Sequence, residues 1–149
     1  MDSDNLKTKI DAVIKAEGGD KYTDDPADRG GKTKYGITEA TARAFGYKAE
    51  MRDLDYKTAF SIYEKRFWIN PNFDDIEQVS VQLAFICLDW GVTSGPSRPS
   101  KALQRALNVL NQNGKDWPDL TADGNFGEMS VRALQSFKAK RGAQGLKNL

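Results

Sequence analysis

The sequence predicts a mainly α-helical protein with one small β-hairpin, on two observations. Outside residues 16–38, apolar residues recur at helical spacing along almost the whole chain. The stretch "GGKTKYGIT" departs from that spacing, because it is short, flanked by glycine and partly alternating, as a small hairpin would be. At 149 residues the chain can bury enough surface to fold without a metal or a disulfide.

Three helices are predicted in the first half. The first runs from about residue 5 to residue 17 and is stopped by the pair Gly18-Gly19; its apolar stripe is Leu6, Ile10, Val13 and Ile14. Thr38 is placed to cap a second, short helix that ends at Gly46. A third helix is marked by one apolar face, made of Tyr56, Ala59, Phe60, Tyr63 and Phe67.

The second half predicts a central helix followed by a helical pair. From Val79 to Val92 apolar residues occupy nearly every side, so this helix is expected to be buried all round. The proline-containing segment "SGPSRPS" is the one plausible seam, and it divides residues 1–96 from residues 97–149. Apolar residues at helical spacing over Leu103–Leu110 and over Val131–Phe137 predict the two helices of this pair, and Gly142 is expected to end the second helix. We expect both portions to pack as one globule and the chain to be a monomer.

Composition excludes several classes of function. With 22 basic and 21 acidic residues the chain carries no electrostatic footprint for nucleic acid, and without histidine it cannot build a His-based triad. No stretch approaches the eighteen or so apolar residues of a membrane span, and the start "MDSDNLKTK" lacks the apolar core of a signal peptide. The lone Cys87 cannot pair within the chain and is expected to be buried and inert.

Glu17 is the first candidate for chemistry. On a helical wheel it falls within about 40° of the apolar stripe, so its carboxyl is expected to point toward the core. Partial burial and the unpaired carbonyls at a helix C-terminus would both disfavour the charged form, which suits a general acid. The alternative is a partly buried glutamate that bonds the loop amides after Gly18.

The aspartate-rich loop after Glu17 offers a second carboxylate. Glycosidic bond cleavage needs one protonated acid and one ionised carboxylate, and Lys21, Arg29 and Lys32 would keep a loop aspartate charged. Asp20 and Asp24 are better explained as caps of turns. The loop lacks the spacing of a calcium loop, so we predict no metal and no cofactor.

The segments "EGG", "DPADRGGKTKYGIT", "YEKRFW" and "DWGVTSGP" together resemble the phage and bacterial muramidases of glycoside hydrolase family 108, which act as endolysins. The resemblance runs from about Leu6 to Pro96. The later segment "TADGNFGEMSVRALQSFKAKRG" resembles the helical peptidoglycan-binding module that follows in that family.

The resemblance implies a lysozyme-like helical fold and cleavage of the β-1,4 bond between N-acetylmuramic acid and N-acetylglucosamine. It implies Glu17 as the acid, and the spacing of phage lysozymes points to Asp28 as the second carboxylate with Thr33. Asp25 is the alternative for the second carboxylate, because the loop is two residues longer than the family usually has.

The chemistry of the side chains suggests roles for one threonine and three aromatic residues. Thr33 could orient the attacking water, although a hairpin threonine chosen for β propensity is an equal alternative. Tyr35 and Trp68 are predicted to stack on sugar rings, whereas Trp90 on the central helix is expected to pack in the core.

The bacterial glycan strand is the predicted partner. The alternatives to hydrolysis are a lytic transglycosylase acting on the same bond and a non-catalytic wall-binding or secretion accessory module. Without a signal peptide, the protein is expected to be made in the host bacterial cytoplasm and to reach the periplasm or wall through a holin pore, a secretion apparatus or lysis.

Overall fold

The computed structural model describes residues 3–24 and 31–147. In chain order, these residues form α1 (Ser3–Ala16), β1 (Tyr22–Asp24), β2 (Lys32–Lys34), β3 (Ile37–Thr38), α2 (Glu39–Ala44), a 3-10 turn (Met51–Asp53), α3 (Tyr56–Glu64), a π-helical segment (Lys65–Ile69), α4 (Phe73–Val79), α5 (Val81–Ser94), α6 (Ser97–Val109) and α7 (Glu128–Lys147). The prediction of a mainly helical fold with a small antiparallel sheet is confirmed. Gly142, with φ 67°, interrupts α7 where the sequence predicted an end.

The chain divides into two compact units, Met1–Lys65 and Arg66–Leu149. This division falls well before the predicted seam at residues 94–100. Residues 97–100 of that segment are helical, because α6 begins at Ser97 and includes the buried Pro99 and Ser100 in its first turn. Proline is well suited to a first helical turn, where its missing N–H leaves no hydrogen bond unmade.

The first unit combines α1–α3 with the sheet. α1 packs against α3 and buries Ile10 and Ile14, each 2% exposed. Thr38 caps α2 as predicted, since its hydroxyl accepts a hydrogen bond from the Thr41 amide at 3.3 Å.

The sheet has the order β1–β2–β3, so it holds one strand more than the predicted hairpin. Thr33 at the centre of β2 pairs with Thr23 of β1 and Thr38 of β3. The sheet is held to the 3-10 turn by the Lys34 ammonium, which donates to the Arg52 carbonyl at 2.5 Å. The Arg52 guanidinium in turn lies over the Tyr22 ring, 5.2 Å from its centroid.

The second unit packs α4 on α5 and α7, and α6 on α5 and α7. Its centre includes Phe73, Leu107, Phe126 and Leu134, which are completely buried. The buried Gln104 amide joins α6 to the loop before α7: it donates to the Asn125 carbonyl and the Ser130 hydroxyl, both at 2.9 Å, and accepts from the Gly124 amide at 3.1 Å. This satisfied network fixes the loop that carries "TADGNFG".

The expectation that α5 is buried all round is wrong. Val81, Ile86 and Trp90 on this helix are 39%, 52% and 43% exposed, so Trp90 is not a core residue. Within its unit α5 packs against α4 and α6, and this leaves an apolar face uncovered. Cys87 is buried as expected, and its burial raises the pKa of the thiol to about 12.

No described helix is both long enough and apolar enough to cross a membrane.

Truncation after Pro96 should unfold the remainder of the second unit. The cut removes the α6 and α7 side chains Leu107, Leu134 and Phe137, which are buried in the full chain. It also removes the Lys138 ammonium, which donates to the Val79 carbonyl at 3.0 Å. Losing several buried side chains costs about 2–5 kcal/mol each. Thermal unfolding followed by circular dichroism should show a lower and broader transition than the full chain, whereas a cooperative transition with full activity would show that residues 94–100 are a true linker.

Candidate active site

Glu17 owes its position to the way α1 ends. The Gly19 amide bonds back to the Ile14 carbonyl at 3.0 Å and the Gly18 amide to the Lys15 carbonyl at 3.2 Å, which is the hydrogen-bond pattern of a Schellman motif. Gly18 and Gly19 have φ of 111° and 60°, a region that residues with a Cβ rarely adopt. Glu17 is therefore the last residue on the helix path before the chain reverses.

The Glu17 side chain is exposed, and the expectation that it points into the core is wrong. It lies on the same face of the helical wheel as Ile10, but it stands at the very end of the helix. At that end the turn between β2 and β3 lies beside it. Within residues 3–24 and 31–147, no hydrogen bond or ion pair engages the Glu17 carboxylate.

The turn beside Glu17 is the two-residue connection of β2 and β3, Tyr35-Gly36. Both residues have positive φ, 54° and 75°, as the type I′ turns of tight hairpins require. A Cβ added to Gly36 would stand 2.6 Å from the Glu17 Cβ and 2.6 Å from the Tyr63 hydroxyl. That hydroxyl donates to the Tyr35 carbonyl at 2.8 Å. The structure thus places Glu17 and Tyr63 against the same turn, Tyr35-Gly36.

Aromatic rings extend from this turn along α3. The half-buried Tyr35 ring meets the Tyr56 ring edge to face, with centroids 5.9 Å apart, and the Phe60 ring follows at 6.3 Å from Tyr56. Tyr56 is 38% exposed, so the row offers aromatic surface to a sugar. Sequence reasoning placed Tyr35 here but assigned Tyr56 only to a packing face, because periodicity alone does not show where a helix emerges from its neighbours.

Asp25 and Asp28, the two candidates for the second carboxylate, lie outside the described residues. Thr33 is half-buried, and its hydroxyl donates to the Gly31 carbonyl at 3.4 Å. Its pairing with two other threonines fits the β-propensity alternative, and its role with water stays a prediction.

Trp68 belongs to the second unit and is 4% exposed. Its ring packs on Phe85, with centroids 5.7 Å apart and planes tilted by 40°. A side chain this buried presents no ring face to a sugar, so the structure gives Trp68 a packing role in place of the predicted stacking role.

No group of three or more acidic or cysteine side chains that could hold a metal ion occurs in the part of the chain that the structure describes.

Comparison with known proteins shows which family the chain matches. The model of glycosyl hydrolase family 108 matches residues 10–95, which is more than half of the chain and includes Glu17, the aspartate-rich loop and the Tyr35-Gly36 turn. Ten chains of solved structures match as well. One, described as the structure of Brucella abortus SagA, is 27% identical, with a TM-score of 0.62 over 99% of this chain and 78% of that chain. A search of curated proteins found no match.

The match to more than half of the chain includes Glu17 and the turn beside it, and a structural neighbour spans nearly all of the chain. The chain therefore belongs to glycosyl hydrolase family 108 and is a glycoside hydrolase.

Proposed function

We propose that the protein is an N-acetylmuramidase that hydrolyses the β-1,4 bond between N-acetylmuramic acid and N-acetylglucosamine in peptidoglycan, with Glu17 as the general acid. The observation that carries the proposal is an exposed carboxyl at a helix end built by two glycines, directly beside a tight turn and a row of aromatic rings. Its site of action would be the bacterial cell wall.

Glu17 would protonate the glycosidic oxygen as the bond from the anomeric carbon to that oxygen breaks. A protonated carboxyl is needed for this step, because the departing oxygen must receive a proton as the bond breaks. Tyr35 and Tyr56 would hold the apolar faces of the sugars, so that the scissile oxygen comes within reach of the carboxyl.

The positive charge that develops on the sugar needs a second, ionised carboxylate. Asp28 is our candidate and Asp25 the alternative, because both lie in the loop between β1 and β2. With a base on the opposite face of the ring, water would attack the anomeric carbon and Thr33 could orient it. A loop aspartate that leaves room for this water favours inversion, for which carboxyl separations of ~6.5–9.5 Å are usual.

The second unit is our candidate for holding the wall. A cavity of about 330 Å³ is lined by residues of α6, of α7 and of the loop between them, which includes the "TADGNFG" segment: Gln104, Asp119, Leu120, Thr121, Asp123, Asn125, Gly127, Glu128, Met129 and Ser130. A cavity of this size is at the lower end of those that take small ligands, ~300–1,000 Å³. Wall binding by this unit would keep the enzyme on its substrate between cleavage events.

Replacing Glu17 by glutamine should abolish lysis while leaving fold and wall binding intact. The amide keeps the shape of the side chain but cannot donate an acidic proton, so the rate should fall by roughly 10²–10⁴-fold. The measurement is turbidity loss of outer-membrane-permeabilised cells, with pelleting on purified sacculi as the binding assay. Glu50→Gln is the matched control, since Glu50 is an exposed glutamate of the same unit whose side chain caps nothing. Lysis by Glu17→Gln at near the wild-type rate would remove Glu17 as the acid.

The chemical form of the products separates hydrolysis from its alternatives. Attack by water leaves reducing N-acetylmuramic acid ends, whereas a lytic transglycosylase leaves 1,6-anhydro ends because the sugar's own hydroxyl attacks. Mass spectrometry of digested glycan strands should find reducing ends alone. Anhydro ends would contradict the hydrolase, and pelleting without any cleavage would identify a binding module instead.

A further inference from the structure

We infer that Tyr63 is a positioning residue for Glu17, acting through the Tyr35-Gly36 turn. The inference deepens the proposed function and rests on Glu17 being the acid. Tyr63 lies on α3, is 6% exposed and does not reach solvent as a sugar-binding residue would. Its hydroxyl lies at the point where the turn meets the end of α1.

The backbone of the turn is strained at Tyr35, so contacts from neighbouring residues must stabilise it. Tyr35 adopts φ 54°, a left-handed backbone conformation that is strained for a residue with a Cβ. The Tyr63 hydroxyl donates to the Tyr35 carbonyl at 2.8 Å, a hydrogen bond between residues 28 positions apart in sequence. This bond ties the turn to α3, and α3 also packs against α1, so one helix supports both sides of the contact with Glu17.

Gly36 transmits that restraint to Glu17. A methyl group at position 36 would stand 2.6 Å from both the Glu17 Cβ and the Tyr63 hydroxyl, and 3.3 Å from the Glu17 carbonyl. Such close approach means that the Glu17 Cβ rests on the glycine backbone, which limits where its carboxyl can swing. A shift of the turn would move the carboxyl, and a misplacement of about 1 Å can cost on the order of 100-fold in rate.

Tyr63→Phe removes the hydroxyl and leaves the ring. We expect kcat on soluble peptidoglycan oligosaccharides to fall by roughly 10- to 100-fold with KM within about twofold, because the sugar-binding rings remain and only the acid is misplaced. Tyr47→Phe is the matched control: the Tyr47 hydroxyl also donates to a backbone carbonyl, that of Glu50 at 2.7 Å, in the same unit but not at Glu17. Tyr47→Phe should keep the wild-type kcat.

Gly36→Ala tests the same contact from the side of the turn and keeps the Tyr63 side chain itself, although the added methyl group would press on the Tyr63 hydroxyl as well as on Glu17. Gly46→Ala is its control, since Gly46 also has positive φ, 94°, but an added Cβ there meets nothing within 4 Å. Both substitutions carry backbone strain, and only Gly36→Ala presses on Glu17. We expect kcat to fall for Gly36→Ala and to stay at the wild-type value for Gly46→Ala, with all variants assayed below their unfolding transitions.

A double variant decides whether Tyr63 acts through Glu17. If it does, adding Tyr63→Phe to Glu17→Gln should leave the residual rate unchanged, because the acid it positions is already gone. A further fall by the full factor of the single variant would overturn the inference, and so would a wild-type kcat in both Tyr63→Phe and Gly36→Ala. If Glu17→Gln itself stays active, the proposed acid fails first, and the two failures are thereby distinguished.

Discussion

The contact between the end of α1 and the Tyr35-Gly36 turn is the constraint on which the rest of the site depends. Two glycines end the helix, and a third lets the hairpin turn approach so closely that any Cβ there would collide with Glu17. The backbone geometry of the helix end thereby places the carboxyl at a surface. Among the described residues, no hydrogen bond or ion pair engages it.

The supports of this contact are spread through the first unit. α3 packs against α1, and the Tyr63 hydroxyl of α3 donates to the Tyr35-Gly36 turn. Lys34 and Arg52 connect the sheet to the 3-10 turn at Met51–Asp53. Small sheets are weakly stable by themselves, so these anchors account for a three-stranded sheet whose strands have only two or three residues. The family match covers these supports together with Glu17.

Much of the fold could be predicted because each signal is local. The stripe of α1, the Gly18-Gly19 stop and the Thr38 cap are all found where the sequence placed them. The predictions from sequence were wrong where the structure depends on contacts between residues that are distant in sequence. A helical wheel cannot show that the core ends before Glu17, an apolar run cannot show that α5 leaves one face uncovered, and α4 is too short to stand out by periodicity.

The candidate site was predictable in its residue types but not in its contacts. Glu17 and Tyr35 could be found from a helix end followed by a glycine-rich hairpin, whereas Tyr63 and Tyr56 join them only through tertiary packing. Trp68 shows the opposite error: its residue type suggested that it stacks on a sugar, but tertiary packing leaves it only 4% exposed.

The central claim is that glycan binds across the end of α1 and the Tyr35-Gly36 turn. Its most direct test is a nuclear magnetic resonance titration of ¹⁵N-labelled Glu17→Gln with an uncleaved peptidoglycan tetrasaccharide. The largest saturable shift changes should fall on the amides of Gly18, Gly19, Tyr35 and Gly36. Changes confined to residues 119–130, with none around Glu17, would contradict the account.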